Sequence, residues 1–150
     1  MRLAPAFLAP AFLALSPIAA PAAAQDAALD PREALYELRV YHPHPGKLDA
    51  LNARFREHTL GIFQKHGMRN VAYWIEQPNE AAPDGKVIYV LAFPSREARD
   101  ASWQAFVADP EWQAVQAASE AGGKLVAKVD STFMSLADYS PPIALAEGSD

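Results

Sequence analysis

An α+β domain, with a four-stranded antiparallel sheet carrying its helices on one face in ferredoxin-like order, is the fold this sequence predicts. Three observations predict it. Strand-type stretches recur at Leu35–Tyr41, Asn70–Glu76, Lys86–Phe93 and Leu125–Met134. Helix-type apolar spacing fills the intervals after the first and third of them, and turn-forming residues separate the second from the third. The order strand, helix, strand, strand, helix pair, strand is two split βαβ units, which close into such a sheet.

Taken in order, the first strand alternates, with Tyr36, Leu38 and Val40 on one side and Glu37, Arg39 and Tyr41 on the other, and His42 to Gly46 end it. From Lys47 to His66, Leu48, Leu51, Phe55 and Ile62 recur at helical spacing, and Gly67 supplies the C-cap. Val71, Tyr73, Trp74 and Ile75 mark the second strand, with Tyr73 and Trp74 on opposite faces. Pro78, Asn79, Pro83, Asp84 and Gly85 form the turn to the third, making a hairpin with a long loop. After Pro94, Ser95 is an N-cap for a helix to about Ala108 that turns Trp103, Phe106 and Val107 inward. Asp109 and Pro110 read as N-cap and first residue of a shorter helix to about Ser119, and Gly122 and Gly123 release the chain into the last strand.

The N-terminus has the pattern of a secretory signal: Arg2, an apolar stretch from Leu3 to Ile18, then the small-residue run Ala19 to Ala24. Cleavage after Ala24 divides the chain into a signal at 1–24, a flexible lead-in at 25–33, one domain at 34–141 and a tail at 142–150. The expected location is periplasmic or secreted. Prolines at 5, 10 and 17 and the short apolar length argue against a permanent membrane span. Removing the signal takes away one of 13 basic residues and none of 18 acidic ones, leaving 12 against 18. An acidic surface excludes nucleic acid as an expected partner, because phosphate binding needs a basic patch. Cysteine is absent, so neither disulfides nor thiolate chemistry contribute.

The third strand is apolar on both sides, Val87, Tyr89, Leu91 and Phe93 alternating with Ile88, Val90 and Ala92. One chain's helices cover one face of a sheet, so the other needs a cover, and a second copy packed sheet to sheet is the simplest. The expectation is that Glu37, Arg39 and Tyr41 face that partner. A charge pair in a dry interface is costly, so a cavity between the sheets, part apolar and part polar, accommodates them.

Several pieces together resemble a known family: Tyr36-Glu37-Leu38-Arg39-Val40-Tyr41, Pro45-Gly46-Lys47, Phe55-Arg56-Glu57-His58-Thr59 and Lys65-His66-Gly67-Met68. Tyr73-Trp74, Phe93-Pro94-Ser95-Arg96-Glu97-Ala98-Arg99, Trp103, Phe106, Asp109-Pro110-Glu111-Trp112 and Tyr139-Ser140-Pro141 continue the pattern. From Leu35 to Pro141 the chain is similar to a NIPSNAP domain. The resemblance implies a dimeric α+β barrel, in which two ferredoxin-like chains pack sheet against sheet. That fold also houses small oxygenases, haem-dependent chlorite-dismutase-like enzymes and proteins with no known catalysis. Animal members of the family are linked to mitochondria and vesicle traffic, and an exported chain departs from that setting.

The candidate ligand-binding residues are Glu37, Arg39, Tyr41, His58, Trp74 and Tyr89. Arg39 suits a carboxylate and Tyr41 can donate a hydrogen bond, while an interface salt bridge setting dimer register is the competing role for the same residues. His58 falls on the inward stripe of the first helix, as a pocket base or metal ligand or, preferably, a hydrogen-bonded structural histidine. His66 suits the helix end, and His42 and His44 read as a solvated loop rather than a metal site. No cofactor motif, metal site or paired-carboxylate pattern is present in the sequence. The expected function is a homodimer holding a small, partly apolar molecule between its sheets; a cofactor-independent monooxygenase-type enzyme and a pocketless structural adaptor are the alternatives.

Overall fold

The structure, a computed structural model, describes residues 29–145. The segment expected to be a secretory signal, residues 1–24, lies outside the described residues, as do the start of the expected lead-in and the end of the tail. Four strands, β1 (Leu35–Pro43), β2 (Arg69–Ile75), β3 (Val87–Phe93) and β4 (Val126–Met134), form one antiparallel sheet in the order β2-β3-β1-β4. This is the predicted ferredoxin-like arrangement. Between β1 and β2 run α1 (Leu48–Arg54), a π-helical turn (Phe55–Thr59) and α2 (Leu60–Lys65), and between β3 and β4 run α3 (Arg96–Ala108) and α4 (Pro110–Ser119).

The caps explain where the helices start and stop. Ser95 Oγ accepts the Ala98 N–H at 3.2 Å, and Asp109 Oδ1 accepts the Glu111 N–H at 2.9 Å with Pro110 as the first helical residue. Gly67 follows α2 at φ 73°, the left-handed conformation its position at the C-cap requires.

The helices cover the sheet face that carries Val87, Tyr89, Leu91 and Phe93 of β3, all of them buried. Leu51, Phe55, Ile62 and Phe63 come down on it from the first helical segment, and Phe106 from α3. Val107 is not part of this core. It is 58% exposed, because Phe106 and Trp103 take the inward stripe of α3 and the next position turns outward.

On the opposite face Ile88 and Val90 lie beside Val40 and Leu38 of β1 and Trp74 and Ala72 of β2. At one end, Tyr36 and Ala92 are buried beneath Leu29, Leu136 and Leu145 from the terminal segments. Arg32 fastens those segments together, donating to the carbonyls of Ala137, Asp138 and Ser140. At the other end no helix or terminal segment among the described residues covers the sheet, and Trp74 is 52% exposed.

The β2–β3 hairpin depends on Gly85. Its φ is +77°, and a Cβ there would stand 2.3 Å from the carbonyl oxygen of Glu76. Gly46 has a similar φ of +70° with nothing within 4 Å of the corresponding position. Gly46→Ala is therefore expected to cost about 1 kcal/mol, the left-handed penalty alone, and Gly85→Ala about 3 kcal/mol. Equal losses in urea titrations of the two variants would show that the hairpin yields without resistance.

Candidate functional site

The register decides where the first strand's polar residues go. Glu37 pairs with Leu91, Arg39 with Tyr89 and Tyr41 with Val87, so all three lie on the helix-covered face. The expectation that they look toward a second sheet is corrected here. The strand's more apolar side, Tyr36, Leu38 and Val40, points away from the helices instead. The reason is that α3 supplies the partners a buried carboxylate needs.

Glu37 is fully buried. Arg99 of α3 donates from Nε to Oε2 at 2.8 Å and from Nη2 to Oε1 at 2.6 Å, and Trp103 Nε1 donates to Oε2 at 3.0 Å. Ser131 of β4 donates at 2.7 Å and Arg39 Nη1 at 2.7 Å, both to Oε1. Burial alone would push the carboxyl up, but the hydrogen bonds from Arg99, Ser131 and Arg39 together outweigh it and hold Glu37 down at about 2. The arrangement ties β1, β4 and α3 together through one side chain. With its lone pairs engaged and its side chain fully buried, Glu37 is a structural carboxylate.

Arg39 lies 4.2 Å above the Trp103 ring and its Nη2 is 3.5 Å from the Tyr41 hydroxyl, but its Nε has no acceptor among the described residues. The Tyr89 hydroxyl is buried with no well-formed hydrogen bond among the described residues, its polar neighbour being the Tyr41 hydroxyl, while its ring stacks on Tyr73 at 5.3 Å. Burial pushes the Tyr89 phenol well up, so it stays neutral. Removing a buried hydroxyl that has no well-formed hydrogen bond removes a desolvation cost at the loss of only a weak contact with Tyr41. Tyr89→Phe is accordingly expected to leave stability unchanged or raise it by about 1 kcal/mol, read by thermal denaturation, whereas a loss of that size would reveal a partner for the hydroxyl.

The remaining candidates do not join this group. His58 is half exposed, its Nε2 4.0 Å from Glu57. The π-helical turn accounts for this: the Leu60 N–H reaches back to the Phe55 carbonyl, five residues away, and Thr59 takes the buried position. Thr59 Oγ1 donates to the Arg54 carbonyl at 3.1 Å. Trp74 stands on the open face, away from Tyr41 and Tyr89. His66 does sit at the end of α2, where its Nε2 lies 2.6 Å from Asp109 Oδ2, joining that helix to the cap of α4. Asp109 is held below the usual carboxylate range by Lys65, His66 and the Glu111 N–H. His42 belongs to β1 rather than to a loop, with Nε2 2.7 Å from Asp130 Oδ2. No cluster of metal-ligating side chains occurs among the described residues.

A cleft of about 320 Å³ opens between the start of β4 and the helices. Tyr41, Phe55, Phe63, Phe106 and Trp112 give it an aromatic lining. Arg54, Thr59, Gln116, Glu120 and Lys124 supply polar groups, and Val126, Lys128 and Val129 of the edge strand close one side, the Lys128 ammonium turning to the other face to pair with Asp130 at 2.8 Å. Of the six candidates only Tyr41 lines this space. Arg54, Phe55 and Thr59 reach it because they flank or form the π-helical turn, a distortion that apolar spacing does not reveal. The buried position of Arg54 has no sequence signal beyond its place four before His58.

The NIPSNAP family model matches residues 36–141. The chain belongs to the NIPSNAP family. A NIPSNAP-like domain protein from Burkholderia xenovorans superposes with a TM-score of 0.64 at 18% identity, over 76% of this chain and 94% of that one. A second NIPSNAP domain protein from the same organism gives 0.59 at 24% identity, over 72% and 99%. A NIPSNAP family protein of unknown function from Agrobacterium tumefaciens gives 0.61 at 22%, over 75% and 96%. At these identities the likeness establishes a shared fold. No curated protein matches the chain.

Proposed function

We propose that this NIPSNAP chain is an exported homodimer that binds a small, partly apolar molecule in the cleft between β4 and the helices. The observation that carries the reading is the cleft itself: about 320 Å³, five aromatic side chains inside and charged groups at the rim, the composition of a small-molecule site. The helix side of the sheet replaces the inter-sheet space as the place for a ligand, because Tyr41, Phe55 and Trp112 are there.

Pairing is supported by the open face. Leu38, Val40, Ile88, Val90, Ala72 and Trp74 form one apolar surface across three strands. At about 25 cal/mol per Å² of apolar area, covering it with its own copy is favourable and self-complementary. Export is supported by the signal-like order of residues 1–24.

Native mass spectrometry of the protein purified from its own compartment tests the reading. The expected result is twice the mature mass plus a retained small molecule. Gln116→Trp, which fills the cleft from an exposed position on α4, should lose the added mass and keep the dimer. Ile88→Asp, at the centre of the open face, should give a monomer, since a carboxylate cannot be buried unpaired there. A monomeric wild type ends the pairing proposal, and a cleft that retains nothing in either form ends the binding one.

A further inference from the structure

Resting on the small-molecule reading above, we propose that the cleft takes a small acid with an apolar or aromatic body, and that Glu120 competes with that acid's carboxylate for Arg54. Arg54 is a cation on the cleft wall whose side chain is 4% exposed. A guanidinium presents five N–H donors in a planar fork suited to two-point recognition of a carboxylate. Here Nη1 is engaged by Glu120 Oε1 at 3.1 Å and Ser119 Oγ at 3.4 Å, and the buried Nε has no acceptor among the described residues. A buried cation with a one-point acidic contact and an orphaned donor is a carboxylate site held below its capacity.

The surroundings select the charge and the body of the ligand. Arg54 and Lys124 face one carboxylate, Glu120, around the cleft, while the Lys128 side chain alternates to the other face of β4 and pairs with Asp130 at 2.8 Å, so the cleft carries one positive charge in excess on a chain whose formal charge is −5. A cationic ligand would meet that excess of like charge, and a neutral one would leave it unused. Trp112 lies beneath the Arg54 guanidinium at 5.2 Å and Phe106 is 4.4 Å from Trp112, extending an aromatic wall inward from the anion position.

Glu120 is placed to give way. It is the C-cap residue of α4, at φ −102° and ψ 9°, and the turn Ala121, Gly122, Gly123 follows, with Gly123 at φ +106°. Its side chain can leave Arg54 without unwinding a helical turn.

Isothermal titration of the protein with 1-naphthaleneacetic acid and with its neutral isostere 1-naphthaleneacetamide tests this. The acid is expected to bind at least about tenfold more tightly than the amide, the difference a charge-assisted fork contributes. Glu120→Gln should tighten the acid about fivefold and leave the amide unchanged, by removing the competitor. Arg54→Met should bring acid and amide to the same affinity. Equal binding of the two probes by the wild-type protein overturns the acid-specific site while leaving the cleft as a binding site. Weaker acid binding by Glu120→Gln overturns the competition. Failure of both probes to bind the wild type removes the acid site and the small-molecule reading with it. Glu120 is at the protein surface, so its variant keeps the inference testable if Arg54→Met does not fold.

Discussion

Glu37→Gln is expected to destabilise the protein by about 3–5 kcal/mol, the cost of breaking a buried ion pair from one side. The substitution conserves shape but leaves Arg99 and Arg39 facing a neutral amide, and one of the amide's own N–H groups is then directed at donors. Urea denaturation at neutral pH measures the loss, and a change below about 1 kcal/mol would mean that water already shares these contacts. The pH dependence gives an independent reading. The folded carboxyl is held at about 2, below its ordinary value of 4.5. A carboxylate whose pKa is depressed on folding contributes its full stabilisation above the unfolded value and loses it as pH falls toward the folded one. Wild-type stability should therefore fall by about 3 kcal/mol between pH 5 and 2 from this group, and Glu37→Gln should lack that part of the slope.

The same residue shows which parts of the molecule were legible in the amino-acid order. Local signals sufficed wherever a backbone requirement selects a residue type. Ser95, the Asp109-Pro110 pair and Gly67 mark helix ends by hydrogen-bonding and φ constraints that act within a few positions, and each stands where it was expected. Strand alternation likewise located all four strands to within about three residues, as a period of two must when a sheet has two distinct faces.

What alternation does not supply is the phase. For β1 the choice was between burying Tyr36, Leu38 and Val40 under the helices or burying Glu37, Arg39 and Tyr41 there, and hydrophobicity favours the first. The structure adopts the second, because Arg99 lies 62 residues and Ser131 94 residues from Glu37, and no local pattern announces that they converge on it. Once that network is satisfied, the apolar side of β1 is left for the uncovered face. The polar network inside and the apolar surface outside are thus one choice of register, and the resulting face, with Ile88 and Val40 on its inner strands and Trp74 at its edge, is more apolar than the opposite phase would give.

The site escaped for a different reason. Four of the six candidates, Glu37, Arg39, Tyr41 and Tyr89, do lie together on one face, but only Tyr41 borders the cleft. His58 was placed inward by ideal helical spacing, and the π-helical turn at Phe55–Thr59 gives the buried place to Thr59 instead. That turn also brings Arg54 under α4. The cleft is formed by α1, the π-helical turn, α4 and β4, elements far apart in sequence, so its charged rim becomes visible only when they pack.

Phe63→Ala is the second large effect, an expected loss of about 3–5 kcal/mol for removing a buried aromatic ring. Phe63 is 1% exposed and its ring meets four others, Phe106 at 4.9 Å, Trp103 at 5.4 Å, Tyr89 at 6.0 Å and Phe55 at 6.4 Å. It joins β3 to both helical segments of the layer above it, so no single neighbour can move to fill its place without losing another contact. Phe63→Leu, which keeps most of the volume, should cost no more than about 1.5 kcal/mol. The ring also borders the cleft, so in the alanine variant the vacated volume joins an opening that water reaches. The cost should then lie toward the lower end of that range, and the cleft should admit a bulkier apolar body than before. Equal losses for the alanine and leucine variants, measured by urea denaturation, would show that the other rings close over the gap, and the aromatic cluster would then be a fluid filling rather than the fixed wall that a selective cleft requires.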